Sequence, residues 1–215
     1  MYSSAAVLEN LRFSIYNRKK NRGSNNRIIK GNQSIFRRVK ISIYGKNNTL
    51  QIGSKCRFRK VVFDITGNNN TIRLGDGITF MEAGHFLIVG DNCTIEIGHS
   101  TLFRDGSLFA GESNTSIKVG ENCFCGVVTI STSDFHSVLD LSTGERINKP
   151  DNIIIGNNNW INNSVSIRKG SVISNDSIIA PNALVNKKFL ISNVIIGGQP
   201  AKVIREGIAW SREKL

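Results

Sequence analysis

Branched apolar residues fall at Ile155, Ile161, Ile167, Ile173, Ile179, Val185 and Ile191, a strict beat of six. A helix repeats near 3.6 residues and a simple strand near 2, so neither accounts for that beat. A β-solenoid does. Each hexad is one short strand plus a turn, three hexads (about eighteen residues) close one triangular coil, and the branched residue points to the axis. The positions two before several inward residues are small, at Ser171, Ser177 and Ala183, which lets the chain bend tightly at a corner.

Upstream the repeat is longer. Gly45-Lys-Asn-Asn-Thr-Leu-Gln-Ile-Gly53 is echoed by Gly67-Asn-Asn-Asn-Thr-Ile-Arg-Leu-Gly75, Gly90-Asp-Asn-Cys-Thr-Ile-Glu-Ile-Gly98 and Gly111-Glu-Ser-Asn-Thr-Ser-Ile-Lys-Val-Gly120. The leading glycines stand 22, 23 and 21 residues apart, so these coils carry a widened corner. Gly and Asn supply the positive φ that such a corner requires. An inward bulky residue follows each second glycine, at Phe58, Phe80, Phe103 and then Cys125, and a stack of this kind is core. Between 131 and 150 the beat stops while both flanks stay regular. A long irregular excursion from a rigid scaffold is where function tends to sit, and this one carries His136.

Three segments follow. Residues 1–31 read as a cap, with an amphipathic helix over Ala5–Tyr16 (Val7, Leu8, Leu11, Ile15) and a basic tail. Residues 32–200 form the solenoid, with the loop 131–150 extruded, and 201–215 read as a C-terminal helix.

Charge sharpens the picture. Lys and Arg number 28 against 16 Asp and Glu, a formal net charge of +12, which points to polyanionic or phosphate-bearing ligands. Arg18, Lys19, Lys20, Arg37, Arg38, Arg57, Arg59 and Lys60 are placed to track an acidic polymer. No nucleic-acid module or basic–aromatic stripe is present. Cys56, Cys93 and Cys123 occupy matching repeat positions and read as core residues of a cytoplasmic protein; Cys123-Phe-Cys125 is no zinc spacing. No apolar run is long enough to span a bilayer, although the N-terminal segment leaves membrane contact open.

His136 is the histidine placed for catalysis, since an imidazole can take a proton from a hydroxyl at neutral pH. A three-histidine zinc site of the kind that some β-helical enzymes carry is disfavoured. His85 and His99 lie 14 residues apart, His99 and His136 lie 37 apart, and no close pair occurs. No metal is therefore expected.

Ile155-Gly-x-x-x-Trp160-Ile161, the hexads that follow, Ile179-Ala180, Val185-x-Lys187 and Gly198-x-Pro200-Ala201-Lys202-x-Ile204 resemble the signature of the hexapeptide-repeat acyltransferases. The likeness is strong over the C-terminal third and rests on repeat type in the middle. The Gly-x-Asn-Asn-Thr repeats, the early basic segment and the 24 residues from His136 to Trp160 are more narrowly similar to the capsule O-acetyltransferases that act on polysialic acid. The resemblance implies an all-β left-handed parallel β-helix, assembled as a homotrimer with active sites at subunit interfaces. It implies acetyl-CoA as donor and direct transfer to a hydroxyl of sialic acid residues in an anionic capsular polysaccharide. A small sugar, an amino sugar or serine is the alternative acceptor, and a non-catalytic polyanion-binding β-helix the alternative of another class. By position, His136 matches the family's general base and Trp160 its active-site tryptophan. Asn162, Ala180, Lys187, Lys202 and Arg205 match or neighbour its cofactor-binding positions. Two departures stand out: Asn162 replaces the Gly usual after Trp-Ile, and Phe135 stands where an Asn or Asp commonly precedes the histidine.

Overall fold

The computed structural model describes residues 17–213. These form a three-sided parallel β-solenoid, a left-handed β-helix, with no helix among the described residues. An eight-stranded sheet makes one side, and a fourteen-stranded sheet bends round the other two. In one wide coil the first side is Arg57–Arg59, the second Val61–Thr66 and the third Thr71–Leu74. From there Thr79–Val89, Leu102–Gly111 and Phe124–Ser131 each run through the first corner and supply two sides.

Register shows the change of repeat directly. On the third side Ile28, Leu50 and Ile72 face one another at steps of 22, and Ile95 follows at 23. Beyond the extruded loop, Ile155 faces Ile173, a step of 18. The added residues of the wide coils lie towards the second corner, between the second and third sides. There Gly45, Asn47, Gly67, Asn69, Gly90, Asn92 and Asn114 all adopt positive φ. The buried side chains at this corner form a ladder. Asn48 donates to the Gly67 carbonyl (2.9 Å), its Oδ1 accepts from the Asn70 N–H (2.9 Å), and Asn70 repeats the pattern with the Gly90 carbonyl and the Cys93 N–H. Each rung satisfies buried polar groups of the next, as a low-dielectric interior demands.

The wider bore is filled by larger side chains. Phe58, Phe80 and Phe103 are buried on the first side, and the Phe80 and Phe103 rings stack at 4.6 Å. A Cβ on Gly106 would sit 2.8 Å from the Phe103 ring, so the inward glycine makes room for the aromatic column. On the coil that bears the loop the column passes to Cys125, and below the loop to Ile161, Ile179 and Ile196. All four cysteines are buried free thiols.

Three expectations change. Arg18–Arg22 and Arg27–Lys30 are coil strands paired to Lys40–Tyr44 and Thr49–Ile52, so the solenoid begins before residue 32; the helix read over Ala5–Tyr16 lies outside the described residues. The beat ends at Val185. Phe189 takes the next inward place, facing Ile173, while Ile191 is exposed, because the last coil is two residues shorter than a full triplet of hexads. Residues 201–213 of the C-terminal segment form no helix. Ala201–Glu206 folds back as a strand antiparallel to Val194–Gly198, which covers the sheet's open edge and buries Ala201. From Gly207 the tail climbs along the corner before the first side. Ile208 N–H donates to the Asn193 carbonyl (3.0 Å), Trp210 Nε1 to that of Asn158 (2.7 Å) and Arg212 to that of Asn122 (3.0 Å). No described helix is long and apolar enough to cross a membrane.

Candidate active site

The buried corner ladder ends where the loop begins. Thr132 Oγ1 reaches Thr115 Oγ1 (3.1 Å) and the Gly111 carbonyl (3.2 Å), and the Asp151 N–H returns to the Thr132 carbonyl (3.0 Å), closing the neck. Past the neck, two ion pairs hold the loop to the solenoid. Arg146 grips Glu112 through two hydrogen bonds, at 2.5 and 2.8 Å, and Ser133 also donates to Glu112. The Arg146 guanidinium holds the Glu112 carboxyl down at about 2. Lys169, on the next coil, pairs with Asp134 at 2.5 Å and donates to the Asn148 carbonyl. The Lys169 ammonium lowers the Asp134 pKa. Asn148 ties the two arms of the loop together, donating to Asp134 (2.9 Å) and to the His136 carbonyl (2.8 Å) and accepting from the Val138 N–H (2.7 Å).

His136 is therefore held by its own backbone, with its side chain exposed. The residue before it, Phe135, has φ +61°, a region costly for a bulky L-residue. Its N–H donates to Ser133 Oγ (2.8 Å), and its ring lies against Phe109 and over Gly111, where a Cβ would approach it to 2.6 Å. The loop tip is apolar and open: Val138, Leu139, Leu141 and Ile147 are all exposed, Leu141 fully.

The other candidates fall into two groups. On the first side, Trp160 faces Ile178, which faces Ile195, which faces Arg205. One residue beyond each inward rung, Asn162 and Ala180 follow, and Gly197 faces Lys202. Trp160, Asn162, Ala180, Lys202 and Arg205 thus share one face. Asn162 Nδ2 donates to the Ile179 carbonyl (3.1 Å), so its amide serves the coil. Lys202 and Arg205 are exposed and form no ion pair among the described residues. Lys187 is elsewhere, at the second corner below the loop, with its ammonium 5.4 Å from the Phe189 ring. His136 belongs to that second corner too, one side away from Trp160 within the same chain.

Sequence reasoning missed the anchors. Glu112, Arg146, Asn148 and Lys169 show no local pattern, although the repeat holding Glu112 is one residue longer than its neighbours and carries an acid where the first two carry Lys or Asn. Trp210 was also missed as a site element. Its ring lies 6.0 Å from that of Trp160, making a second aromatic wall from the returning tail.

The cysteines are not poised for nucleophilic work. Burial pushes Cys123 up to about 11 and Cys125 well above the ordinary thiol value, so both stay protonated at neutral pH. His85 sits beside Asp64 and His99 beside Asp76, and no three metal-ligating side chains cluster among the described residues.

No protein-family model matches the chain. Among curated proteins it is similar to the polysialic acid O-acetyltransferase of Neisseria meningitidis, 30% identical over 123 residues. That match covers 57% of this chain and 57% of the relative, little more than half its length. Two solved structures match more fully. The polySia-specific acetyltransferase NeuO aligns at 28% identity and a TM-score of 0.79, over 92% of this chain and 90% of that one. The polysialic acid O-acetyltransferase OatWY aligns at 27% and 0.76, over 93% and 92%. The chain is similar in sequence to these polysialic acid O-acetyltransferases and shares their left-handed β-helix over nearly its whole length.

Proposed function

We propose that the protein is an O-acetyltransferase that moves an acetyl group from acetyl-CoA to a hydroxyl of sialic acid residues in a capsular polysaccharide. One arrangement carries this reading: a histidine on a loop tied down by Glu112–Arg146 and Asp134–Lys169, extruded from a coil whose next rung begins with Trp160. The homology supports the acceptor class, and the net charge of +12 suits an acidic polymer.

Acetyl-CoA supplies the activated acyl group. His136 accepts the proton of the acceptor hydroxyl as the oxygen attacks the thioester carbonyl, then returns it to the departing thiol. No acyl-enzyme is required, consistent with buried, protonated cysteines. Trp160 and Trp210 offer flat apolar walls to the acyl-bearing arm, Ala180 leaves it space, and Lys202 and Arg205 offer charge to phosphates. Lys187, on the histidine's corner, is assigned to the cofactor only across a subunit boundary. That geometry favours a homotrimer in which the loop of one protomer meets the Trp160 face of the next, with the apolar loop tip (Val138, Leu139, Leu141, Ile147) covered in the assembly.

The test is thiol release from acetyl-CoA with polysialic acid, sialic acid monomer, neutral sugars and serine as acceptors. Turnover with polysialic acid is expected. His136→Ala lowers kcat by about 10²–10⁴-fold with CoA binding and assembly unchanged. Turnover with serine or a neutral sugar alone overturns the acceptor, and wild-type kcat in His136→Ala overturns the mechanism.

A further inference from the structure

The first side also carries an unassigned cleft, far up the wide coils. Ile35, Arg37, Arg57, Arg59, Thr79 and Met81 line it around the edges of Phe58 and Phe80, and it encloses about 370 Å³. Arg37 and Arg59 face each other directly across adjacent strands, and Arg57 stands two residues before Arg59 on the same outward face. None of the three guanidiniums has a carboxylate within 4 Å among the described residues, and all are exposed. Like charges directly opposite one another on neighbouring strands are destabilising. The contrast with the third side is plain: there Arg73, Glu96 and Lys118 occupy successive rungs with alternating sign, and Glu96 pairs with both cations. The apolar walls from Ile35 and Met81, about half exposed at 47% and 52%, give the cleft a surface on which a ring can rest while its acid groups meet the arginines.

The cleft shares its face with the candidate active site. Arg57, Thr79, Leu102, Phe124 and Trp160 stand in successive rungs of one column. Four rungs at about 4.8 Å put Arg57 about 19 Å above Trp160, with Arg37 one rung higher. We propose that this cleft is a remote carboxylate-binding subsite that holds a segment of the acidic polymer not being acetylated. The inference rests on the acceptor reading above and adds a location and a set of residues to it. The forked guanidinium geometry matches a carboxylate, and three converging cations favour a polymer with one acid per sugar over a neutral glycan.

Two measurements on the full chain separate the possibilities: direct binding of polysialic acid, with neutral dextran as control, and steady-state thiol release. Arg57→Ala/Arg59→Ala is expected to weaken polysialic acid binding and raise its KM about tenfold, with kcat and the KM for acetyl-CoA unchanged and the melting temperature matched. Arg57→Lys/Arg59→Lys is expected to recover part of the binding, and His136→Ala to bind as the wild type does. Wild-type binding and KM in Arg57→Ala/Arg59→Ala overturns the subsite, as does dextran binding as tightly as polysialic acid. If the wild type binds polysialic acid through these arginines but releases no thiol with it, the subsite stands and the proposed reaction fails.

Discussion

The wide coils above the loop and the narrow coils below it solve the same packing problem differently. Above, a step of 22 leaves a bore filled by the buried rings of Phe58, Phe63, Phe80, Phe86 and Phe103, and its extra corner is lined by a hydrogen-bonded ladder of asparagines. Below, a step of 18 leaves a bore that single Ile and Val side chains fill, and its corners take Ser171, Ser177 and Ala183. The upper half thus depends on aromatic volume and buried amides, the lower half on branched aliphatic packing. The difference teaches where a loop can leave such a stack. Thr132 is the last rung of the wide corner, and the chain departs there, where the next coil no longer has a corner of that size to continue.

The comparison can be broken most severely in the aromatic column. Phe80→Ala removes a ring stacked on Phe103 and touching Phe58 and Phe86, and should cost about 3–5 kcal/mol, against about 0.5–1.5 kcal/mol for Ile161→Val in the narrow column. Denaturant unfolding of the two variants measures this; equal losses would deny that the halves are packed differently. Next comes the ladder. Asn70→Ala strands the Gly90 carbonyl and the Cys93 N–H inside the corner and should cost about 1–3 kcal/mol, seen as a lower unfolding midpoint and faster amide exchange in the flanking rungs. Smallest for the scaffold, yet most telling for the site, is the loop anchor. Glu112→Gln should release about 1 kcal/mol of loop attachment while leaving the melting of the solenoid in place. Acid acts on the same bond. The Glu112 carboxyl lies at about 2 when folded against 4.5 when free, so the anchoring is full above about 4.5 and is lost as pH falls towards about 2. Proteolysis or hydrogen exchange of residues 133–149 follows it. Acid release that persists unchanged in Glu112→Gln would place the titrating group elsewhere.

Much of this was legible in the chain, for a physical reason. Inward positions of a solenoid are dictated by the bore, so Ile155 through Val185 and Phe58, Phe80 and Phe103 announce themselves by spacing. The second corner is legible too, because its positive φ is met mostly by Gly and Asn, whereas other corners place Arg38, Lys60 or Ser100 there and leave no such mark. What failed to show was set by contacts distant in sequence. Phe189 displaces Ile191 because a turn is two residues short, which periodicity cannot register. Ala201–Glu206 becomes a strand because Val194–Gly198 offers an unpaired edge, against a local sequence that reads as a helix. The candidate site divides in the same way. His136 and Trp160 stand out by their place in the chain, whereas the residues that hold the loop meet from 34 and 35 positions apart.

The steady register of the upper coils has one more consequence. Because each rung lies directly over the last, the stack behaves as a gauge marked in strand spacings, with Arg57 and Trp160 as two marks on one edge. Inserting or deleting a whole in-register repeat between them, such as the stretch from Gly67 to Val89, whose last residue faces Thr66, would slide one mark relative to the other by about 4.8 Å and keep the inward columns aligned. Relatives with more or fewer wide coils would then measure out longer or shorter stretches of polymer with the same chemistry at either end.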